Sequence, residues 1–225
     1  MIDAHLHLDR FSDPEAAWER LRSVGVTEAI VPGVEEPFEG LELPGIHSAL
    51  GLHPLAPAHE GWRERLSAAV AQRRPVAIGE VGLDRHGDID QGERLAWQLG
   101  LAAEHRLPLI LHLVGDAGAL LAAVRRHPAP VMLHRCGGRP SRFQPWWEAG
   151  VYCSVGPKTR GDLRLLAAVP EASLLLESDA EDEDAAPWRT LPALYRDAAR
   201  ARGLTLGSIE ALVYANTRRF IGEAS

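Results

Sequence analysis

Eight short apolar segments rich in β-forming residues recur along the chain, and they restrict its architecture more than any other feature. They lie at residues 2–6, 28–32, 46–52, 76–80, 109–113, 131–134, 151–155 and 173–177. Most are separated by stretches with apolar positions at three- and four-residue intervals, which predict helices over 14–24, 62–72, 93–105, 117–127 and 189–202. Asp13, Asp116 and Asp162 stand where helix N-caps are expected. Continuous apolar strands alternating with helices predict parallel strands buried on both faces. Repeated eight times, that unit closes into an α/β fold of the (β/α)8 TIM barrel type, a single domain over 1–225. An open doubly wound sheet is the alternative. Its dinucleotide-binding form would place Gly-x-Gly-x-x-Gly after the first strand, where this chain reads His5-Leu6-His7-Leu8-Asp9-Arg10.

With 225 residues the chain is long enough for one sizeable core. No apolar run approaches the roughly 20 residues that cross a bilayer, so no membrane span is expected. The first strand begins at once, without the basic and apolar regions of a secretion signal, and a cytoplasmic location is expected. Cys136 and Cys153 are too few for a disulfide framework and lack zinc-knuckle spacing, so both are expected as small core residues. A net charge of -7 argues against broad electrostatic adhesion to nucleic acid; any phosphate site must be built locally.

In a barrel of this type catalytic groups lie at the carboxyl ends of the strands. Five strand ends carry ionisable residues: His5 and His7 at the first, Glu80 at the fourth, His112 at the fifth, His134 at the sixth and Asp179 just past the eighth. His5 and His7 are two positions apart, so on a strand they share a face while Ile2, Ala4 and Leu6 point away. Each residue alone has an ordinary explanation as a satisfied core histidine, a salt-bridge partner or a helix cap. Burying four imidazoles and two carboxylates together without a cation would cost several kcal/mol, so the set implies one or two divalent ions. Four nitrogens and two oxygens exceed what one tetrahedral zinc uses and suit two ions about 3.5–4 Å apart that share a carboxylate. Glu80, between the two histidine groups, is the expected bridge. Asp179 is the expected ligand and general base, with a helix cap as the alternative. Asp3 and Glu177 stand near these ligands, where they either orient histidines or serve as ordinary caps and ion-pair partners. Metal-assisted hydrolysis is the reaction class.

Further segments stand in register with these ligands: Leu50-Gly51-Leu52-His53-Pro54, Gly79-Glu80-Val81-Gly82-Leu83-Asp84, His134 with Gly137 and Gly138, Glu177-Ser178-Asp179, and Asn216-Thr217-Arg218-Arg219-Phe220. Together with His5-Leu6-His7 they resemble, in order and over essentially the whole chain, the landmarks of the TatD family of metal-dependent deoxyribonucleases within the amidohydrolase-like barrels. The resemblance implies two magnesium, manganese or zinc ions at His5, His7, Glu80, His112, His134 and Asp179, and DNA or another phosphodiester as substrate. It makes His53 a candidate substrate contact, although a loop histidine before proline is more often structural.

Three departures bear on the substrate. The family usually carries His-x-Arg at the fifth strand, where this chain has His112-Leu113-Val114. Its sixth strand continues His-Cys-Phe-Ser-Gly, against His134-Arg135-Cys136-Gly137-Gly138 here, which makes Arg135 a candidate phosphate contact. Arg139, Arg142, Lys158 and Arg160 either extend that patch or are solvated surface charge. After the last aspartate, Ala180-Glu181-Asp182-Glu183-Asp184 replaces Ser-Pro-Tyr, and four acids near the mouth would repel a polyanion. Three functions are therefore carried forward: a two-metal nuclease, a hydrolase of a small amide, lactone or ester, and a metal-binding regulatory barrel without catalysis.

Overall fold

The computed structural model describes residues 1–87, 90–115, 118–157 and 163–222; Asp116, Lys158, Arg160 and Asp162 lie outside the described residues. The strands are β1 (Ile2–Asp3), β2 (Glu28–Pro32), β3 (Ile46–Ala49), β4 (Ile78–Asp84), β5 (Leu109–Val114), β6 (Val131–Cys136), β7 (Tyr152–Val155) and β8 (Leu174–Leu176). All pair in parallel, in the orders β1-β2-β3 and β4-β5-β6-β7-β8. Two seams join these sheets into a ring. Leu50 bridges Ile78 between β3 and β4, and the Ala4 N–H donates to Leu176 O at 2.9 Å between the β1 segment and β8. The eight-stranded parallel barrel expected from the patterning is therefore the fold.

Helices α1 (Pro14–Ser23), α2 (Trp62–Arg73), α3 (Gln91–Glu104), α4 (Gly118–Val124), α5 (Gln144–Glu148), α6 (Leu163–Ala168), α7 (Pro187–Arg202) and α8 (Leu206–Phe220) surround the ring. Asp13 caps α1 as its position suggests, accepting from Ala16 N at 2.9 Å. The strand–helix alternation breaks once: residues 33–45, between β2 and β3, form no helix. β1, expected over residues 2–6, ends at Asp3. Strict alternation ends there too. Ala4 packs with the inner residues, whereas Ile2 and Leu6 pack with the outer ones. His5 and His7 thus stand on bent backbone after the strand.

Strand parity separates two cores. Leu109, Leu111, Val131, Leu133, Leu174 and Leu176 face the helices, while Ile30, Ala49, Ala77, Ile110, Met132 and Leu175 fill the ring. Phe220 and Ile221, at the end of α8, join this inner cluster. The same parity carries His112, two residues beyond Ile110, and His134, two beyond Met132, to the inward face above that apolar floor. Cys136 and Cys153 are buried and free, as expected.

Polar bonds from α7 and α8 hold the amino-terminal strands in place. The buried Tyr195 hydroxyl on α7 donates to Ile2 O at 2.6 Å and accepts from Ile2 N at 3.1 Å, satisfying the side of β1 that turns away from β2. Removing it in Tyr195→Phe should leave two buried backbone groups unpaired and cost about 2 kcal/mol in urea denaturation. At the start of β2, Glu28 accepts from His47 Nε2 at 2.7 Å and Arg218 Nη1 at 2.9 Å. Burial opposes its ionisation, but the bonds from His47, Tyr214 and Arg218 outweigh burial and hold the carboxyl below its usual 4.5. A depressed carboxyl contributes stability above its unfolded pKa and loses it as pH falls through the folded pKa. Glu28→Gln should therefore cost about 1 kcal/mol at pH 7 and converge on the parent chain as pH drops below about 4; an equal gap at both pH values would exclude this linkage.

Candidate metal centre

Two bulges build the centre. Ile78 pairs with Leu109 but Val81 with Leu111, so β4 carries one extra residue across Gly79 and Glu80. Leu133 pairs with Cys153 and Cys136 with Val155, so β6 carries one across His134 and Arg135. A bulge re-aims the side chain it carries, and these two aim Glu80 and His134 at each other, with Glu80 Oε1 2.7 Å from His134 Nε2. Glycine makes the β4–β5 approach possible: a Cβ at Gly82, where φ is +156°, would lie 1.8 Å from the His112 carbonyl oxygen. Arg135 (φ 54°) and Asp179 (φ 49°) occupy the left-handed region without being glycine, a cost of about 1 kcal/mol each. They are held there together. Arg135 N donates to Glu177 Oε1 at 2.6 Å, Asp179 N to His5 O at 3.0 Å, and Arg135 Nε pairs with Asp179 Oδ2 at 3.1 Å.

All six sequence-predicted ligands converge. The two oxygens of Glu80 divide them into two groups. Oε2 faces His5 Nε2 at 3.3 Å and His7 Nε2 at 3.5 Å, and Asp179 Oδ1 lies 4.0 and 3.9 Å from the same nitrogens. Oε1 faces His112 Nδ1 and His134 Nε2, each at 2.7 Å. Burial opposes a charge on His112, but Glu80 on one side and Asp84 Oδ2, 2.9 Å from Nε2, on the other raise its pKa. His5 Nε2 and His7 Nε2 approach to 3.1 Å, and His112 Nδ1 and His134 Nε2 to 3.2 Å. Lone pairs crowded like this repel unless a cation sits among them, and imidazole nitrogen with carboxylate oxygen is a common donor set for divalent metals. The residues fit a metal.

Protonation alone satisfies the cluster poorly. Burial disfavours a charge on His5, yet Glu80, Glu177 and Asp179 together push its pKa up to about 9. Burial and the His5 charge push His7 down to about 3, and burial first of all takes His134 down to about 4. Burial also opposes ionisation of Glu80, but His134, His112 and His5 hold it well below the usual carboxylate range. Protons are thus favoured on His5 and His112, at positions a cation would serve equally. The His5 and His134 rings stack at 4.1 Å between centroids, so a charge on His5 lies against His134 and helps keep it neutral.

His53 enters this cluster as well, its Nε2 3.5 Å from Glu80 Oε1 and its ring edge-on to His112. Its Nδ1 accepts from Leu55 N at 3.1 Å, so the neutral ring carries its proton on Nε2. That N–H suits hydrogen bonding to an anion rather than metal ligation. Asp84 is the functional residue that the sequence leaves without a role, because β4 was expected to stop at Glu80. Continued alternation through Val81 and Leu83 was the signal. Gln91 fixes Asp84 in turn, accepting from Asp84 N at 2.7 Å and donating to Asp84 O at 2.9 Å. Asp3 and Glu177 bond to backbone, and Glu177 Oε1 also stands 3.8 Å from His134 Nδ1. Asp3 Oδ1 accepts from Ser178 N at 2.9 Å and His5 N at 3.3 Å, and Glu177, whose pKa burial raises, accepts from Arg135 N.

The acidic segment is partly consumed by the fold. Glu181 takes Arg10 Nη1 at 3.0 Å, Glu183 accepts from Ser12 N and Oγ at 3.0 and 2.6 Å, and Asp182 caps a short turn through Ala185 N. Arg10 offsets the charge of Glu181, whereas the hydrogen bonds to Asp182 and Glu183 leave both acids ionised, so the expected repulsion of a polyanion is only partly relieved.

Comparison with known proteins places this geometry among relatives. The family model described as TatD related DNase matches residues 2–222. The chain is 35% identical over 224 residues to the uncharacterized metal-dependent hydrolase YjjV of Escherichia coli, covering 88% of this chain and 86% of that protein. It is 30% identical over 259 residues to the 3'-5' ssDNA/RNA exonuclease TatD of Klebsiella pneumoniae, covering 98% and 97%. The crystal structure of YjjV superposes with a TM-score of 0.80 at 27% identity, covering 98% of this chain and 97% of that one. A carboxylate behind a metal-binding histidine typically accounts for about 10–100-fold in metal affinity. Asp84→Asn should weaken manganese binding by that factor in calorimetry; unchanged affinity would reduce Asp84 to a loop residue.

Proposed function

Because this chain belongs to the TatD related DNase family, we propose that it is a divalent-metal-dependent hydrolase that cleaves phosphodiester bonds, with DNA as its substrate class. The convergence of imidazole and carboxylate lone pairs on the two oxygens of Glu80 carries this reading. His5, His7 and Asp179 with Glu80 Oε2 would hold one ion, and His112 and His134 with Glu80 Oε1 a second, drawn from magnesium, manganese or zinc. Bound divalent ions would supply the Lewis acidity that makes water nucleophilic and offsets charge on the phosphoryl oxygens.

The roles of the chain's own side chains follow from their surroundings. Glu80 bridges the two groups and, held ionised, adds the negative charge that favours divalent cations. Asp179 accepts the proton of the attacking water at Oδ1 while Oδ2 stays on Arg135 Nε. Arg135 and His53 line one cavity with Glu80 and Asp179, where a guanidinium and an Nε2–H can hold phosphate oxygens. The nucleic-acid substrate is supported by the name of the Klebsiella relative, and a cytoplasmic location belongs to the same proposal. No described helix is long and apolar enough to cross a membrane. A second reading, hydrolysis of a small amide, lactone or ester, is favoured by Val114 and the apolar space beside it.

Purified chain stripped with chelator and reloaded with manganese should trim single-stranded DNA. Glu80→Ala should lower that rate by about three orders of magnitude or more. Nuclease activity that survives in Glu80→Ala, or is the same after chelation, would refute the assignment, and turnover of esters but not DNA would select the second reading.

A further inference from the structure

His112, His134, Arg135 and Asp179 form a wall shared by two cavities. One, of about 630 Å³, holds His7, His53 and Glu80. The other, of about 500 Å³, extends away from the ligands and is lined by Leu113, Val114, Cys136, Pro157, Leu165 and Ala185, with three glycines among them. Its remaining hydroxyls are engaged: Thr190 Oγ1 donates to Ala186 O at 3.3 Å, and Ser178 Oγ accepts from Ala180 N at 3.4 Å and bonds the Asp3 carboxylate. Beyond the shared wall, the described residues lining this lobe carry no charge. Its volume alone is that of a small-molecule site. No Phe, Tyr or Trp among the described residues lines either cavity, so neither offers the platform on which nucleobases stack.

We propose that this lobe seats an uncharged apolar arm, aryl or alkyl, of a phosphodiester whose phosphorus lies at the Glu80–Asp179 centre. Small diesters with such an arm are then better substrates than an internal link of a polynucleotide. The inference rests on the phosphodiester reading above. An apolar arm gains by leaving water against Leu113, Val114 and Leu165, whereas a neighbouring nucleotide's phosphate would lose hydration there, and among the described lining residues only Arg135 offers it a fixed cation. In the reaction, the water oxygen bonds to phosphorus and the P–O bond to one arm breaks. One water proton ends on the departing alcohol or phenol and the other on the monoester product.

Val114 touches both cavities and belongs to no ligand set. Calorimetry of the chain, metal-free and manganese-loaded, should show diphenyl phosphate binding at least about tenfold more tightly than dimethyl phosphate, about 1.4 kcal/mol. Val114→Arg should abolish that preference by filling the lobe, and the near-isosteric Val114→Thr, which preserves side-chain shape, should reduce it. The loaded enzyme should show a higher kcat/KM for bis(4-nitrophenyl) phosphate than for a single-stranded oligonucleotide, an order that Val114→Arg narrows. Equal binding of the two diesters, absence of diphenyl phosphate binding in either form, or a preference unchanged in both variants would overturn the lobe assignment. A preference that is present and lost in the variants, with no hydrolysis of any phosphodiester, would overturn the phosphodiester reading and leave the lobe as an apolar site.

Discussion

Glu80 is a buried carboxylate with four imidazole nitrogens within 3.5 Å of its two oxygens, besides His53. A single charge surrounded in this way is costly unless every neighbour has its proton or cation arranged to suit it. Much of the upper barrel serves that arrangement. The β4 bulge turns Glu80 inward, Gly82 lets β5 come close enough to present His112, and the β6 bulge presents His134. Behind them Asp84 holds the far side of the His112 ring, and Asp3 and Glu177 tie down the backbones that carry His5 and Arg135.

The apolar part of the ring makes this possible by being rigid. Ile30, Ile110, Met132 and Leu175 close the space below the ligands, and Phe220 brings the end of α8 into the same cluster. Close packing transmits displacement rather than absorbing it, so residues far from the chemistry set its geometry. Tyr195 is one such residue: it grips Ile2, three positions before the first candidate ligand. The strained backbone at Arg135 and Asp179 persists because neighbouring bonds on both sides over-determine it.

Charge around the mouth is distributed differently from what composition suggests. The net charge of -7 and the run from Glu181 to Asp184 would seem hostile to a phosphate. The fold turns Glu181 to Arg10 and Glu183 to Ser12, and it keeps Arg135 on the wall of both cavities. What the mouth then offers is uneven: a polar cavity over the ligands and an apolar one beside them, with Val114 between.

Strand parity and strand ends were legible in the sequence because a buried parallel strand needs an uninterrupted apolar run, and a polar residue at its carboxyl end has few reasons to be there without chemistry. By that logic His5, His7, Glu80, His112, His134 and Asp179 stood out, and so did the eight-stranded barrel. What depends on contacts between segments distant in the chain did not. The bent path of His5 and His7, the bond that makes His53 a donor and the support of His112 by Asp84 all follow from partners brought close only by ring closure. Local pattern records which face of a strand is buried; it cannot record what waits on that face, and here the occupants come from opposite ends of the chain.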